Sequence, residues 1–291
     1  MGVGVWVPLL AAVIAAVVSF VSGLVLARYK AGLDAHVQYE LEARKRLYAA
    51  VGPLRYQLVV ACREAAARIE QMSHRAFLMD ATQYYGRNTL YRLLRPLAIA
   101  ELIERQTNYV DFGVDPGVLR MVRFEAAAFA ALTGERALRG LDESILDWTQ
   151  ETQHVFKGRL QQAAAVLIVD DPPRCARFAE FEQAMNETKP DDHSPGGLHS
   201  LARLLESLWP NPKPAQEWAF APTTNAAVFW LRLVSYGYVC NWLISQDGAT
   251  AGIAAMPYPV TELVSRAGER DVHPIAGSLL GLLDELIGSA D

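Results

Sequence analysis

PLLAAVIAAVVSFVSGLVLA, residues 8–27, is apolar on every face of a helix, and no charged residue occurs between Gly2 and Ala27. A helix rises 1.5 Å per residue, so about 25 such residues reach about 37 Å, more than the roughly 30 Å hydrocarbon core of a bilayer. Trp6 falls at one predicted interface, and Arg28, Tyr29 and Lys30 fall at the other. No Lys or Arg precedes the run, so the positive-inside rule directs the C-terminal side to the cytoplasm. The rival reading, a cleaved signal peptide, requires a basic leading segment, a shorter apolar core and a small-x-small cleavage site. Here the leading segment carries no basic residue and the apolar run is too long. Residues 1–30 are therefore expected to be a retained single-pass anchor in the inner (cytoplasmic) membrane, with the N-terminus outside and the rest of the chain in the cytoplasm.

Beyond the anchor, residues 31–52 read as a charged juxtamembrane helix. Glu40 and Glu42 stand four residues before Arg44 and Arg46, the favourable order for helical ion pairs. Arg28, Lys30, Arg44, Lys45 and Arg46 are the candidate contacts for anionic lipid headgroups, at about 1 kcal/mol per basic residue close to the surface. Against that, the Glu residues offset much of the charge of Arg44, Lys45 and Arg46, which equally describe a solvated helix face.

Residues 53–291 are expected to form a cytoplasmic helical domain. Pro53 suits a first helical turn, and Leu54, Leu58, Cys62, Ala65, Ile69 and Met72 then keep one apolar stripe. A second helix is predicted from Asn88 to Asn108, with Pro96 kinking or breaking it. A third opens at Asp115-Pro116 and closes near Gly134. A fourth covers Leu141 to Ile168, and Asp171-Pro172-Pro173 starts a shorter one through Phe178, Phe181 and Met185. Leu198 to Trp209, Ala226 to Ile244 and Pro274 to Ile287 supply three more. Phe220 to Ile244 is apolar but carries Thr223, Thr224, Asn225, Arg232 and Asn241, which makes it a buried domain helix and not a second span. Alternation typical of strands is absent. The fold class is all-α: an N-terminal transmembrane helix followed by a cytoplasmic helical bundle, with Leu58, Leu94, Phe129 and Trp230 in its core. TKPDDHSPGG, residues 188–197, is the best linker and a possible point of subdivision, and Pro210 to Pro222 is a second loop.

Composition limits the chemistry. The formal charge is −5 and the pI is near 5.7, so no overall basic field draws the protein onto nucleic acid. Cys62, Cys175 and Cys240 form no CxxC pair and stand near no His at zinc-ligand spacing, so they read as small buried hydrophobes. No metal and no cofactor is expected. Asp191-Asp192-His193 has metal-ligand residue types without ligand spacing. Glu143, Asp147 and Glu151 share a face of the predicted fourth helix, where acids at this spacing normally meet water. Nothing resembles a nucleophile elbow, a P-loop, a dinucleotide fingerprint or HExxH. The aromatics Phe229, Trp230, Tyr236, Tyr238 and Trp242 cluster as core packing does.

Asn88-Thr89-Leu90-Tyr91, then Glu101 and Arg105, then Tyr109-Val110-Asp111-Phe112-Gly113, form a pattern NTLY…E…R…(F/Y)-x-D-x-G. This resembles an uncharacterised bacterial family, of high-GC type, of N-terminally membrane-anchored helical proteins. Tyr48, Pro53-Leu54 and Arg68 correspond to its preceding helix, with Pro53 and Arg68 about one helical turn farther apart than in the pattern. The resemblance spans roughly a third of the chain and implies no activity. It singles out Asn88, Glu101, Arg105 and Asp111 as a candidate polar network.

Two functions follow as expectations. The first is a membrane-tethered interaction or sensing module that recruits a protein partner at the inner face of the bilayer. The alternative is a membrane-anchored hydrolase or effector with a carboxylate site among the central helices, near Glu101 and Asp111.

Overall fold

An apolar residue at every third or fourth position gives a helix one face that needs a partner surface. Leu54, Leu58, Cys62, Ala65, Ile69 and Met72 form such a face on α1 (Val3–His74), and all six are buried. The structure, a computed structural model, describes residues 3–74, 82–107, 116–135, 138, 139, 141, 143–187, 197–208, 224–266 and 279–288. The chain divides into two compact units, residues 1–49 and residues 50–291. In the first unit α1 is exposed on every side from Ile14 to Tyr39, large apolar side chains such as Phe20, Val25 and Leu26 included.

In the second unit, residues 50–74 of α1 are followed by α2 (Tyr84–Thr107), α3 (Pro116–Thr133), α4 (Lys157–Ala165), α5 (Phe178–Glu187), α6 (Gly197–Ser207), α7 (Thr224–Asp247), α8 (Val260–Ser265) and α9 (Leu279–Gly288). The class is all-α, with one antiparallel ribbon of β1 (Ile168–Asp170) and β2 (Pro173–Cys175), in which Ile168 pairs with Cys175. The central element is α7. It is mostly apolar and almost wholly buried, and it packs chiefly on α3 and also meets α6, α8 and α9. Leu58, Leu94, Phe129 and Trp230 are all buried, as their stripes predict.

Large buried side chains bring polar ends inside, and each end needs a partner. Trp230 Nε1 donates to Leu263 O at 2.7 Å, Tyr236 Oη to Leu93 O at 2.9 Å, and Tyr91 Oη to Ala176 O at 3.0 Å. Arg232 is buried and donates through Nη1 to Gly134 O at 2.5 Å and to Ala131 O at 3.4 Å. Those carbonyls lie at the C-terminal end of α3, where the helix macrodipole is negative and supplies the counter-charge. Trp148 covers the guanidinium at 5.2 Å, and burial draws its pKa down to about 10.

Asp247, the last residue of α7, has a side chain only 1% exposed, and two guanidiniums meet on its Oδ1. Arg55 Nη2 of α1 lies at 2.7 Å and Arg120 Nη2 of α3 at 2.8 Å, so one carboxylate ties three helices together.

Three sequence expectations are corrected. Apart from a single 3-10 turn at Glu143–Ile145, the predicted helix from Leu141 to Ile168 is, among its described residues, α-helical only over α4. Before it, Gln153 Oε1 accepts from Asp147 N and Asp147 Oδ1 accepts from Thr149 N, so side chains take the backbone groups that a helix would use. The helix expected from Asp171 begins instead at Phe178, because residues 168–175 form the ribbon; Glu180 Oε2 accepts from Arg177 N at 2.7 Å, the backbone half of a capping box. Pro53 lies inside α1 instead of starting a helix, and of the two outcomes expected at Pro96, a kink or a break, the break does not occur, since α2 runs on through it. The linker at 188–197 falls, up to residue 196, outside the described residues, as do all of Pro210 to Pro222 and all of Asp191-Asp192-His193.

Asp247→Asn leaves two cations facing a neutral amide. Both Arg side chains keep partial access to water, so the expected loss is about 3 kcal/mol, at the lower end for a broken buried pair; thermal unfolding measures it. A Cβ at Gly237 would overlap the Tyr258 hydroxyl. Gly237→Ala is therefore expected to cost about 1–3 kcal/mol by overpacking, seen as a lower denaturant midpoint with an unchanged slope.

Candidate functional site

Two of the four candidate network residues face each other along α2. Glu101 and Arg105 are one helical turn apart, and Arg105 Nη2 donates to Glu101 Oε1 at 2.5 Å while its Nη1 reaches Asp170 Oδ1 at 3.3 Å. Their side chains are 25% and 46% exposed, which places the pair at the surface, where such a bridge is worth less than about 1 kcal/mol. Asn88 is elsewhere. It is buried, and its Oδ1 accepts from Arg68 Nη2 of α1 at 2.6 Å, a charge-assisted bond that fixes α2 against α1. Asp111 lies outside the described residues.

A second, unpredicted carboxylate completes a cluster with Glu101. Glu125 is the only acid in α3, and it faces Glu104 and Glu101 of α2 and Lys157 at the start of α4. Burial, and then the carboxylates of Glu104 and Glu101, push its carboxyl up to about 7, against a weaker opposing pull from Lys157. Such a group is part-protonated at neutral pH and is able both to give and to take a proton. The one sequence signal for it is a lone acid within the apolar run Phe124 to Leu132.

A third polar node holds the segment before α4. Glu151 accepts from Phe156 N at 2.9 Å, from Arg159 Nη1 at 2.8 Å and from Ser200 Oγ at 2.5 Å. His154 is buried between Trp148 and Phe156, at 5.5 and 5.0 Å between ring centres, and its pKa is lowered by burial and then by Arg232. Glu143, Asp147 and Glu151 do not share a helical face, because this segment is not an α-helix.

Among the described residues, no group of three or more His, Cys, Asp or Glu side chains is arranged to hold a metal ion. Cys62 and Cys240 are buried and Cys175 is half-buried. Arg28, Lys30, Arg44, Lys45 and Arg46 are all exposed. Among the described residues, two helices are long and apolar enough to cross a membrane: Ile14–Ala49, whose apolar window is 0% buried, and Asn225–Ala251, whose window is 83% buried. The second is the core helix α7, so the N-terminal one is the candidate span.

Comparison of the chain with family models, with curated proteins and with solved structures finds no match.

The raised pKa of Glu125 has a definite sign. Between pH 4.5 and 7 the folded chain keeps a proton that the unfolded chain has lost, so this group removes stability as pH rises through that window. Glu125→Gln is expected to raise stability at pH 8, by on the order of 3 kcal/mol for about 2.5 units, and to leave it unchanged at pH 4. Unfolding curves at the two pH values give the difference.

Proposed function

We propose that the protein is a membrane-tethered helical module, anchored by residues 1–30 in the inner membrane with its N-terminus outside, which recruits a protein partner to the cytoplasmic face. The observation that carries this reading is an N-terminal helix that is uncharged up to Ala27 and, from Ile14 onward, exposed on all sides as far as Tyr39, because a helix apolar all round is stable only when something other than water surrounds it. Residues 31–52 then form the juxtamembrane helix and residues 53–291 the cytoplasmic domain. Arg28 and Lys30 meet the headgroups. Arg44, Lys45 and Arg46 begin about 21 Å farther along the helix, more than two Debye lengths away, and add little. On the domain, Tyr84 and Tyr85 pack edge-to-face at 5.7 Å yet stay more than half exposed, a rigid aromatic pair of the kind enriched in protein interfaces. The resemblance to membrane-anchored helical proteins carried by residues 88–113 agrees with this reading.

Glu125 favours a second reading, a membrane-anchored hydrolase or effector that uses Glu125 as its proton-transfer group beside Glu101. Glu125→Gln separates the two. The recruiting module keeps its cellular function with a higher melting temperature, whereas the enzyme loses function despite that gain.

A reporter fused after Asp291 is expected to be active in the cytoplasm, the full chain to resist extraction from membranes by alkaline carbonate, and deletion of residues 1–30 to release a folded soluble domain. A reporter active only outside, or a chain washed off by carbonate, overturns the proposal.

A further inference from the structure

Past Ala27 the exposed helix of the first unit keeps an apolar face. At about 100° per residue, Leu26, Leu33, Val37, Leu41 and Tyr48 fall within roughly 80° of arc, whereas Arg28, Glu42 and Arg46 lie on the opposite side. All eight are exposed. Residues 26, 37 and 48 stand at an 11-residue repeat, about 3.67 residues per turn, a spacing that keeps a seam in register between two helices.

Resting on the anchor reading above, we propose that this face binds a second copy of the chain, the two helices running parallel out of the same bilayer. Anchoring fixes the direction, since two copies inserted alike can only emerge side by side and pointing the same way. Charge selects the same arrangement. Tyr29 and Glu40 flank the seam on one side, and Asp34 and Lys45 flank it on the other. In a parallel pair the flank of one helix lies against the opposite flank of its neighbour, and a residue five positions on, about 7.5 Å along the axis, is within reach of a long charged side chain. That relation joins Glu40 to Lys45 of the second copy, and Tyr29 to Asp34 of the second copy, on both sides of the pair. Within one helix Glu40 also lies 3.3 Å from His36, and Glu42 lies 3.7 Å from Arg46 on the far side. Lys30 and Arg44 fall in the seam itself. Their aliphatic stems cover it while their charged ends reach outward, and basic seam residues set register and copy number at the expense of stability. Confinement to one membrane raises the effective concentration and offsets that loss.

Disulfide crosslinking of the full chain in native membranes tests the arrangement, with single replacements Leu33→Cys or Val37→Cys on the seam and Glu42→Cys or Arg46→Cys behind it. The unaltered chain sets the background, since its thiols are buried or half-buried. Oxidation is expected to give several-fold more covalent dimer from the seam positions than from the rear ones. Lys45→Glu should lower the Val37→Cys yield, and adding Glu40→Lys should restore it. Equal yields on both faces, no dimer from either, or a charge swap that fails to restore the yield overturns the inference. Carbonate extraction of the same samples separates the two failures. A chain that stays embedded without seam-specific dimers defeats the dimer alone, and one that washes off defeats the anchor on which the dimer rests.

Discussion

A long, mostly apolar helix cannot stand in water, and the described residues contain two. The rest of the structure follows from how each is surrounded. α7 is enclosed by protein, so every polar group it carries inward has to be matched there: Trp230 and Tyr236 reach backbone carbonyls of other segments, Arg232 takes the free carbonyls ending α3, and Asp247 collects two guanidiniums. From Ile14 to Tyr39 the N-terminal helix has no such enclosure. The same physical requirement that builds the core therefore underlies the proposal of a bilayer around residues 1–30.

The parts of the fold legible in the sequence are those set by periodicity. Leu54, Leu58 and Ile69 mark a buried face because their spacing matches one turn of helix, and the polar interruptions of Phe220 to Ile244 mark a helix for a protein core and not for lipid. Legibility fails where side chains compete with the backbone. Leu141 to Ile168 has apolar residues at helical spacing, yet Asp147, Thr149 and Gln153 divert the backbone groups and only the end of the segment winds into α4. It fails again at residues 168–175, where two strands of three residues are too short to show alternation. Pro53 misled in the other direction, since it lies inside α1 instead of opening a helix, and Pro96 does not break α2: it removes one donor, but Leu94, Leu97 and Ala98 are buried on either side and the helix continues through it.

The candidate site divides along the same line. Glu101 and Arg105 were readable as a pair because both partners lie on one helix. Asn88 was readable as a residue of consequence but not as the acceptor for Arg68, since nothing local links positions twenty residues apart. Glu125 became visible only in three dimensions. A single acid in a row of alanines looks like a solvated position, and what lifts its carboxyl to about 7 is first its burial in the fold and then the carboxylates of Glu104 and Glu101 on another helix.

The carboxylate that joins three helices also sets a timetable. Asp247 follows Arg55 by 192 residues and Arg120 by 127. A ribosome adding roughly 5 to 20 residues per second delivers Asp247 about 10 to 40 s after Arg55. Throughout that interval the apolar stripe from Leu54 to Met72 has been made and the helix that closes the core has not. The nascent protein is thus most adhesive in the middle of its synthesis, and the ion cluster acts as a completion mark: until the last quarter of the chain arrives, two arginines wait without their shared anion.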